Sequence, residues 1–309
     1  MGHLWRYALL AALSRAAGDS NSCMAQTPLS LGDGTTIPPV GFGLYYTPPG
    51  NTTYDVVTQA LNNGYRHLDT AGFYENEADV GRAVKDSGIP RDEIHITSKA
   101  WPLEEGPWVT DGYATMLQHV KDSVEKLGTR ADLYLIHAPF NKEQRIDYWR
   151  ALEEAQRLGL VRSIGVSNYG VKHLEELLDS PLTTVAPAAN EVELHPFLRK
   201  DAIDAFCKAR GIRLIAYSPL ARAQRLTMPA LASIAEKHSV SPAQIMIRWS
   251  TQRGYVPLPK SVTESRIKMN IEVFHFELSA DDMSKLDALD EQLFTEWEEW
   301  GNLDPTQIP

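Results

Sequence analysis

The sequence predicts an α/β fold in which eight parallel strands, each followed by a helix, close into one barrel. Three observations carry this expectation. From residue 40 onward, eight short apolar runs alternate with amphipathic segments of helical length. Several of those segments end at a glycine. No low-complexity linker and no solenoid-like repeat interrupts the series. Eight units without a long break favour a (β/α)8 TIM barrel over an open doubly wound sheet, which usually has fewer. The 309 residues suit it, because one such barrel commonly fills that length.

In chain order, the first 23 residues differ from the rest. MGHLWRYALLAALSRAAGDSNSC carries Arg6 and Arg15 and no acid before Asp19. Its apolar run, Tyr7 to Leu13, is too short to span a bilayer. A secretory signal would be interrupted by Arg15, whereas an Arg-bearing, acid-free segment suits a mitochondrial transit peptide. Met24 offers an alternative start. The expectation is a disordered or absent tail over 1–27 and a single barrel domain over 28–309. The protein is expected in the cytoplasm, or in mitochondria if the leader is a transit peptide.

LSLGDGTTIPPV reads as a hairpin turned at Gly32-Asp33-Gly34, capping the barrel bottom. The eight strand runs are VGFGLYY near 40, YRHLDT at 65, EIHITSKA at 93, DLYLIHA at 132, SIGVSN at 163, AANEVEL at 188, IRLIAYS at 212 and YVPLPK at 255. Between them, YATMLQHVKDSVEKLG places Met116, Leu117, Val120, Val124 and Leu127 on one helical stripe. Similar stripes run through YDVVTQALNNG, YWRALEEAQRLG and MPALASIAEKH. Gly64, Gly128, Gly159 and Gly211 stand where helix C-caps belong. After residue 275 a last helix, SADDMSKLDALDEQL, begins with Ser279 as its cap.

Composition narrows the function classes. Hydrophobic residues make up 43% and charged ones 23%, which supports a packed core. The net charge of -10 argues against a general nucleic-acid surface, which needs a basic face. A local basic cluster can still hold one phosphate. Two cysteines, Cys23 and Cys207, are too few for a disulfide framework and read as reduced thiols. No segment reads as transmembrane. A small-molecule substrate is expected as the partner, with no nucleic acid and no membrane, for a monomer or weak homodimer.

The chemistry gathers at the C-terminal ends of the strands, where such barrels keep their active sites. The second strand ends at Asp69, the third at Lys99 and the fourth at His137, with Tyr74 in the loop after the second. A phenol titrates near pH ~10 and is a weak acid at neutral pH. Lys99 is placed to lower that value, and Asp69 to keep a buried Lys99 charged. His137 would then hydrogen-bond and orient a substrate oxygen. Taken alone, each residue would more often be packing or a solvated flank. Their convergence on one rim points to a device that protonates a nascent alkoxide, as in carbonyl reduction. No metal is needed.

A second cluster, VPLPKSVTESRIKMN, brings Lys260, Ser261, Arg266 and Lys268 to the start of a helix on an acidic protein. A helix N-terminus favours anions, and a phosphate monoester fits there. An ordinary basic flank fits equally well. GFGLYY lacks the third glycine of a dinucleotide loop, and no Walker-type loop is present.

Taken together and in order, HLDTAGFYENE, ITSKAW, YLIHAPF, GVSNY, NEVELHP, AYSPL and LPKSV resemble the aldo-keto reductase family. The similarity spans roughly residues 28 to 300, one motif per strand. It implies an NADPH-dependent carbonyl reductase without a metal. It implies Tyr74 as proton donor, Asp69 and Lys99 as its supports and His137 as the orienting histidine. Ser167 and Asn168 match the pair on the nicotinamide carboxamide, and Tyr217 the ring stacked on it. Ser218 and Leu220 match pyrophosphate contacts. Lys260, Ser261 and Arg266 match the 2′-phosphate clamp, and Asn270 lies near the adenine. Three positions depart from the family. Glu191 stands where glutamine is usual, so a group that only accepts when ionised faces the carboxamide. Tyr45 and Ala138 replace two common tryptophans, and Ala138 is expected to widen a pocket lined by Tyr46, Trp101, Phe140, Trp297 and Trp300.

Two other readings compete. Some relatives of this fold serve as cofactor-sensing regulatory subunits. A metal-dependent hydrolase would use His67, Asp69, His137 and His195, but leaves Lys99 and the basic cluster without a role.

Overall fold

The structure, a computed structural model, describes residues 27–102, 111–297 and 303–309. The tail expected over the first residues, including Cys23, and the pocket residue Trp300 lie outside them.

An antiparallel hairpin comes first, β1 (Leu29–Ser30) and β2 (Thr36–Ile37). Its turn sets Gly34 at φ 82, a left-handed value that glycine adopts without strain. Asp33 Oδ1 accepts the Thr35 N–H at 3.0 Å and so braces the loop. Then follow β3 (Phe42–Gly43), α1 (Asn51–Asn62), β4 (His67–Asp69), α2 (Glu77–Asp86), β5 (His95–Ala100) and α3 (Gly112–Leu127). The series continues with β6 (Ala131–Ile136), α4 (Arg145–Arg157), β7 (Val161–Ser167), α5 (Val171–Asp179), β8 (Ala189–Glu193), α6 (Asp201–Arg210) and β9 (Arg213–Tyr217). It ends with α7 (Pro229–His238), α8 (Pro242–Gln252), β10 (Val256–Pro257), α9 (Glu264–Ile271) and α10 (Ala280–Asp287).

Strands β3 to β10 pair in parallel and in chain order. The sheet curls until its edges meet, as expected. The Gly41 N–H donates to the Pro257 carbonyl at 3.0 Å and the Gly43 N–H to that of Pro259 at 3.2 Å. Glycine is required at this seam: a Cβ on Gly41 would lie 2.4 Å from His67 Nδ1 and 2.5 Å from Leu258 Cδ2.

Alternation along the strands divides the core in two. Leu133, Leu135, Ala189, Ile215, Val256 and Leu258 fill the barrel with the hairpin's Leu31 and Ile37. Leu68, Tyr134, Ile136, Ile164, Val166 and Leu214 face outward into the helical layer. The hairpin closes the bottom, where the Gly32 N–H donates to Ala188 O at 3.1 Å and Arg213 Nη2 to Ser30 O at 2.9 Å. In α3, Met116, Val120 and Leu127 are fully buried, while Leu117 and Val124 border the core. Gly64, Gly128, Gly159 and Gly211 all have positive φ at helix ends. No helix among the described residues is long and apolar enough to cross a membrane.

Two elements differ from the expected pattern. The β9–β10 connection holds two helices: α8 packs on β10, and α7 packs outside it against α10. The last helix starts at the Ser279 cap but ends at Asp287, not near 293. Beyond it, the Leu293 N–H donates to Phe197 O at 2.9 Å, and Leu289 and Leu293 pack against the core. This tertiary anchoring overrides the helical pattern of DALDEQL.

The barrel interior also buries imidazoles. His67 Nε2 pairs with Thr97 Oγ1 at 2.9 Å, and the His67 and His95 rings meet edge-on at 4.9 Å. Burial, with smaller opposing and reinforcing charges, pushes His95 down to about 4. A base with a depressed folded value contributes stability above its unfolded value, near ~6.5, and loses it as pH falls. The stability advantage of the parent over His95→Gln should therefore shrink by about 2 kcal/mol between pH 7 and pH 5. Urea unfolding of both proteins at the two pH values measures this, and an unchanged gap would refute it.

Candidate active site

Inner residues at the strand ends converge on a cavity of about 470 Å³ at the top of the barrel. Gly43, Asp69, His137, Ser167, Glu191, Tyr217 and Leu258 line it, one each from seven of the eight strand ends. Period-two alternation aims each of them inward. Tyr74 joins them from the 3-10 turn Gly72–Tyr74 that follows β4. Lys99, on β5 between Asp69 and Glu191, is fully buried. The four rim residues singled out from sequence are thus brought together.

Lys99 Nζ donates to Asp69 Oδ1 at 2.6 Å and to Thr70 O at 3.0 Å, and lies 3.3 Å from Glu191 Oε1. It stands 5.2 Å from the Tyr74 ring centroid. Burial works against the ammonium, but Asp69, Glu191 and Tyr74 more than offset it, so Lys99 titrates above its ordinary value. Asp69 does hold Lys99 charged, as expected. The expected lowering of Tyr74 is not what results. Burial outweighs the pull of Lys99, with Asp69 and Glu191 adding to it, and the phenol sits above its ordinary value. Tyr74 is an acid that keeps its proton until a partner takes it.

His137 presents an Nδ1 with no partner in the protein, and burial, reinforced by Lys99, keeps its ring neutral. Its ring meets Tyr74 edge-on at 5.6 Å and Trp101 at 4.8 Å. Beside it, Asn168 Nδ2 donates to His137 O at 2.9 Å and to Ser167 Oγ at 3.1 Å. Tyr217 Oη donates to Asn168 Oδ1 at 2.8 Å and accepts from Trp297 Nε1 at 3.0 Å.

Aromatic rings form the outer wall. Trp101 stacks on Phe73 at 4.8 Å and on Trp297 at 5.9 Å. Tyr45 lies 4.2 Å from Tyr46 and 5.0 Å from Tyr74, centroid to centroid. Phe140 supports Trp101 at 5.7 Å from outside the cavity. Ala138 is fully buried and is not among the residues lining the cavity.

Sequence reasoning missed Phe73, Pro219, Arg222 and Glu296, all of which line the cavity. Phe73 adjoins Tyr74, and Glu296 adjoins Trp297, so adjacency was the available signal. Glu193 Oε1 fixes the C-terminal segment by accepting the Thr295 N–H at 2.9 Å and its hydroxyl at 2.5 Å. Glu296 then accepts from Ser218 Oγ at 2.6 Å and faces Arg222 at 3.5 Å. Ser218, Ala221, Arg222 and Ala223 all have positive φ, in a loop of which Ser218, Pro219, Leu220 and Arg222 line the cavity.

Ser218, Leu220 and Lys260 reach the cavity. Ser261 and Arg266 do not; they sit beyond it at the start of α9, where Arg266 is exposed, and Asn270 is buried near the end of the same helix. The residues suggested for a dinucleotide thus divide between the cavity (Ser167, Asn168, Glu191, Tyr217, Ser218, Leu220 and Lys260) and the segment beyond it (Ser261, Arg266 and Asn270). The alternative metal set does not assemble. His67 is engaged by Thr97, Asp69 by Lys99 and His195 by Glu193 at 3.1 Å. Among the described residues, no group of three or more His, Cys, Asp or Glu side chains is arranged to hold a metal ion.

The model of the Aldo/keto reductase family matches residues 40–291. Glyoxal reductase of Bacillus subtilis (strain 168) is 44% identical over 262 residues, covering 84% of this chain and 92% of that protein. The 9,11-endoperoxide prostaglandin H2 reductase of Trypanosoma cruzi (strain CL Brener) is 39% identical over 267 residues, covering 85% and 91%. The crystal structure of an aldo/keto reductase from Brucella melitensis is similar with a TM-score of 0.81 at 39% identity, covering 86% of this chain and 99% of that one.

Proposed function

We propose, from the premise that this chain belongs to the aldo/keto reductase family, that it reduces the carbonyl of an aldehyde or ketone to an alcohol at the expense of NADPH. The observation that carries the reading is Tyr74 standing beside the buried Lys99–Asp69 pair, on the cavity wall it shares with His137. Reduced nicotinamide, when bound, supplies the hydride. Neutral His137 lines the same cavity, where its ring can hydrogen-bond and orient the carbonyl oxygen. Tyr74 hands that oxygen its proton, and the Lys99 ammonium stabilises the phenolate left behind. The stacked Trp101, Phe73 and Trp297 favour a flat apolar substituent on the carbonyl. All four rim groups are in place, which favours turnover over non-catalytic cofactor sensing.

Lys260, Ser261 and Arg266 at the start of α9 support a preference for the 2′-phosphate of NADPH, because a helix N-terminus and a guanidinium both suit a phosphate dianion. The purified protein should consume NADPH with a panel of aldehydes and aromatic ketones. Arg266→Ala should raise the Kd for NADPH about tenfold or more while leaving NADH nearly unchanged. Equal losses for the two cofactors would remove the phosphate assignment, and no turnover on any carbonyl would remove the reductase reading.

A further inference from the structure

We infer that Glu191 holds a proton at neutral pH and shares it with Asp69, so that Lys99 faces one negative charge on the barrel floor and not two. What the proton does in turnover rests on the reductase reading; its presence does not.

Three buried groups meet here. The Lys99 ammonium has three hydrogens. Two are donated, to Asp69 Oδ1 at 2.6 Å and Thr70 O at 3.0 Å, and Glu191 Oε1 lies 3.3 Å from the same nitrogen. Asp69 Oδ2 and Glu191 Oε2 are buried and left without a donor. The two carboxyl groups flank the same ammonium, at 2.6 and 3.3 Å, and each bears on the other's titration. Two ionised carboxylates carry no hydrogen to put between them. Two anions against one cation would also leave a net charge in a dry barrel, which is costly. One retained proton supplies the missing donor and neutralises the set, as in other paired carboxylates.

Asp69 lies nearer the ammonium and is the carboxylate; Glu191 is the acid. Burial raises Glu191 first and the Asp69 charge adds to it, with Lys99 opposing. The other groups facing this set add no cation. His137 is kept neutral by burial, while Tyr74 and Tyr217 are held protonated by it. Ser167, on the adjacent strand, donates to the Glu191 backbone carbonyl at 2.9 Å.

Glu191 is then a positioning residue. When Tyr74 gives up its proton, the phenolate forms beside one floor anion; ionising Glu191 would add a second. Reduction should fall as pH rises through the Glu191 ionisation. The test has two arms. In the infrared difference spectrum between the parent and Glu191→Gln at neutral pH, without cofactor, the parent should show a carboxylic-acid C=O band that the variant lacks. Glu191→Met serves the same purpose if the amide variant misfolds. In the kinetic arm, the alkaline fall of kcat/KM should lie at least about tenfold lower in hydrogen-ion concentration for Glu191→Gln than for the parent. No band difference with either variant, or coincident alkaline limbs, would overturn the shared proton. The band needs no turnover. Its presence in a protein that reduces no carbonyl would uphold the proton and sink the reductase reading alone.

Discussion

Tyr74→Phe should abolish carbonyl reduction, lowering kcat by about a thousandfold or more, while NADPH binding stays nearly intact. The substitution keeps the ring that packs 5.0 Å from Tyr45 and 5.6 Å from His137, so the cavity wall stands. It removes only the hydroxyl. Because burial keeps that hydroxyl protonated, it is the group with a proton to give at neutral pH. His137 is buried in its neutral form and is a poor substitute acid. Single-turnover reduction and NADPH titration by fluorescence separate the two effects. A variant that reduces carbonyls at near parental rate would show that the proton comes from elsewhere.

Lys99→Met is the second large effect. It should cost kcat about a hundredfold or more by removing the cation that stabilises the phenolate. It should also destabilise the fold by about 3 kcal/mol, because buried Asp69 loses its counter-charge. The two losses are separable. Adding Asp69→Asn to Lys99→Met removes the stranded carboxylate, so the double variant should recover stability and stay inactive. Chemical denaturation of the single and double variants checks this. A single variant as stable as the parent would mean that the pair at 2.6 Å carries no net stability.

Much of this was legible in the chain, for identifiable reasons. The eight apolar runs reported the eight parallel strands, because a strand covered on both faces must be apolar throughout its length. Asp69, Lys99 and His137 were readable because they interrupt such runs at the end where loops face the site. Tyr74 was readable by its closeness to Asp69. What escaped depends on contacts between distant segments. Glu296 enters the cavity because Glu193 binds Thr295, 102 positions away, and no local pattern encodes that. Arg222 faces inward through a left-handed backbone in a segment without glycine. The extra helix and the shortened last helix reflect packing of the C-terminal segment. The direction of the Tyr74 shift was misjudged because proximity to a cation is visible in sequence, whereas complete burial is not.

The bonds joining Trp297, Tyr217 and Asn168 have a fixed polarity. An indole can only donate and a backbone carbonyl can only accept, so Trp297 at one end and His137 O at the other force every hydrogen between them to point the same way. The amide of Asn168 is thereby locked in one flip state, with its nitrogen towards the histidine. A one-way relay ties a ring on the cavity wall to the main chain of the residue proposed to orient the carbonyl. On the proposed reading, swapping that ring to admit a new guest would also disturb the stage on which the guest reacts, so that breadth of substrate and speed of turnover would be coupled.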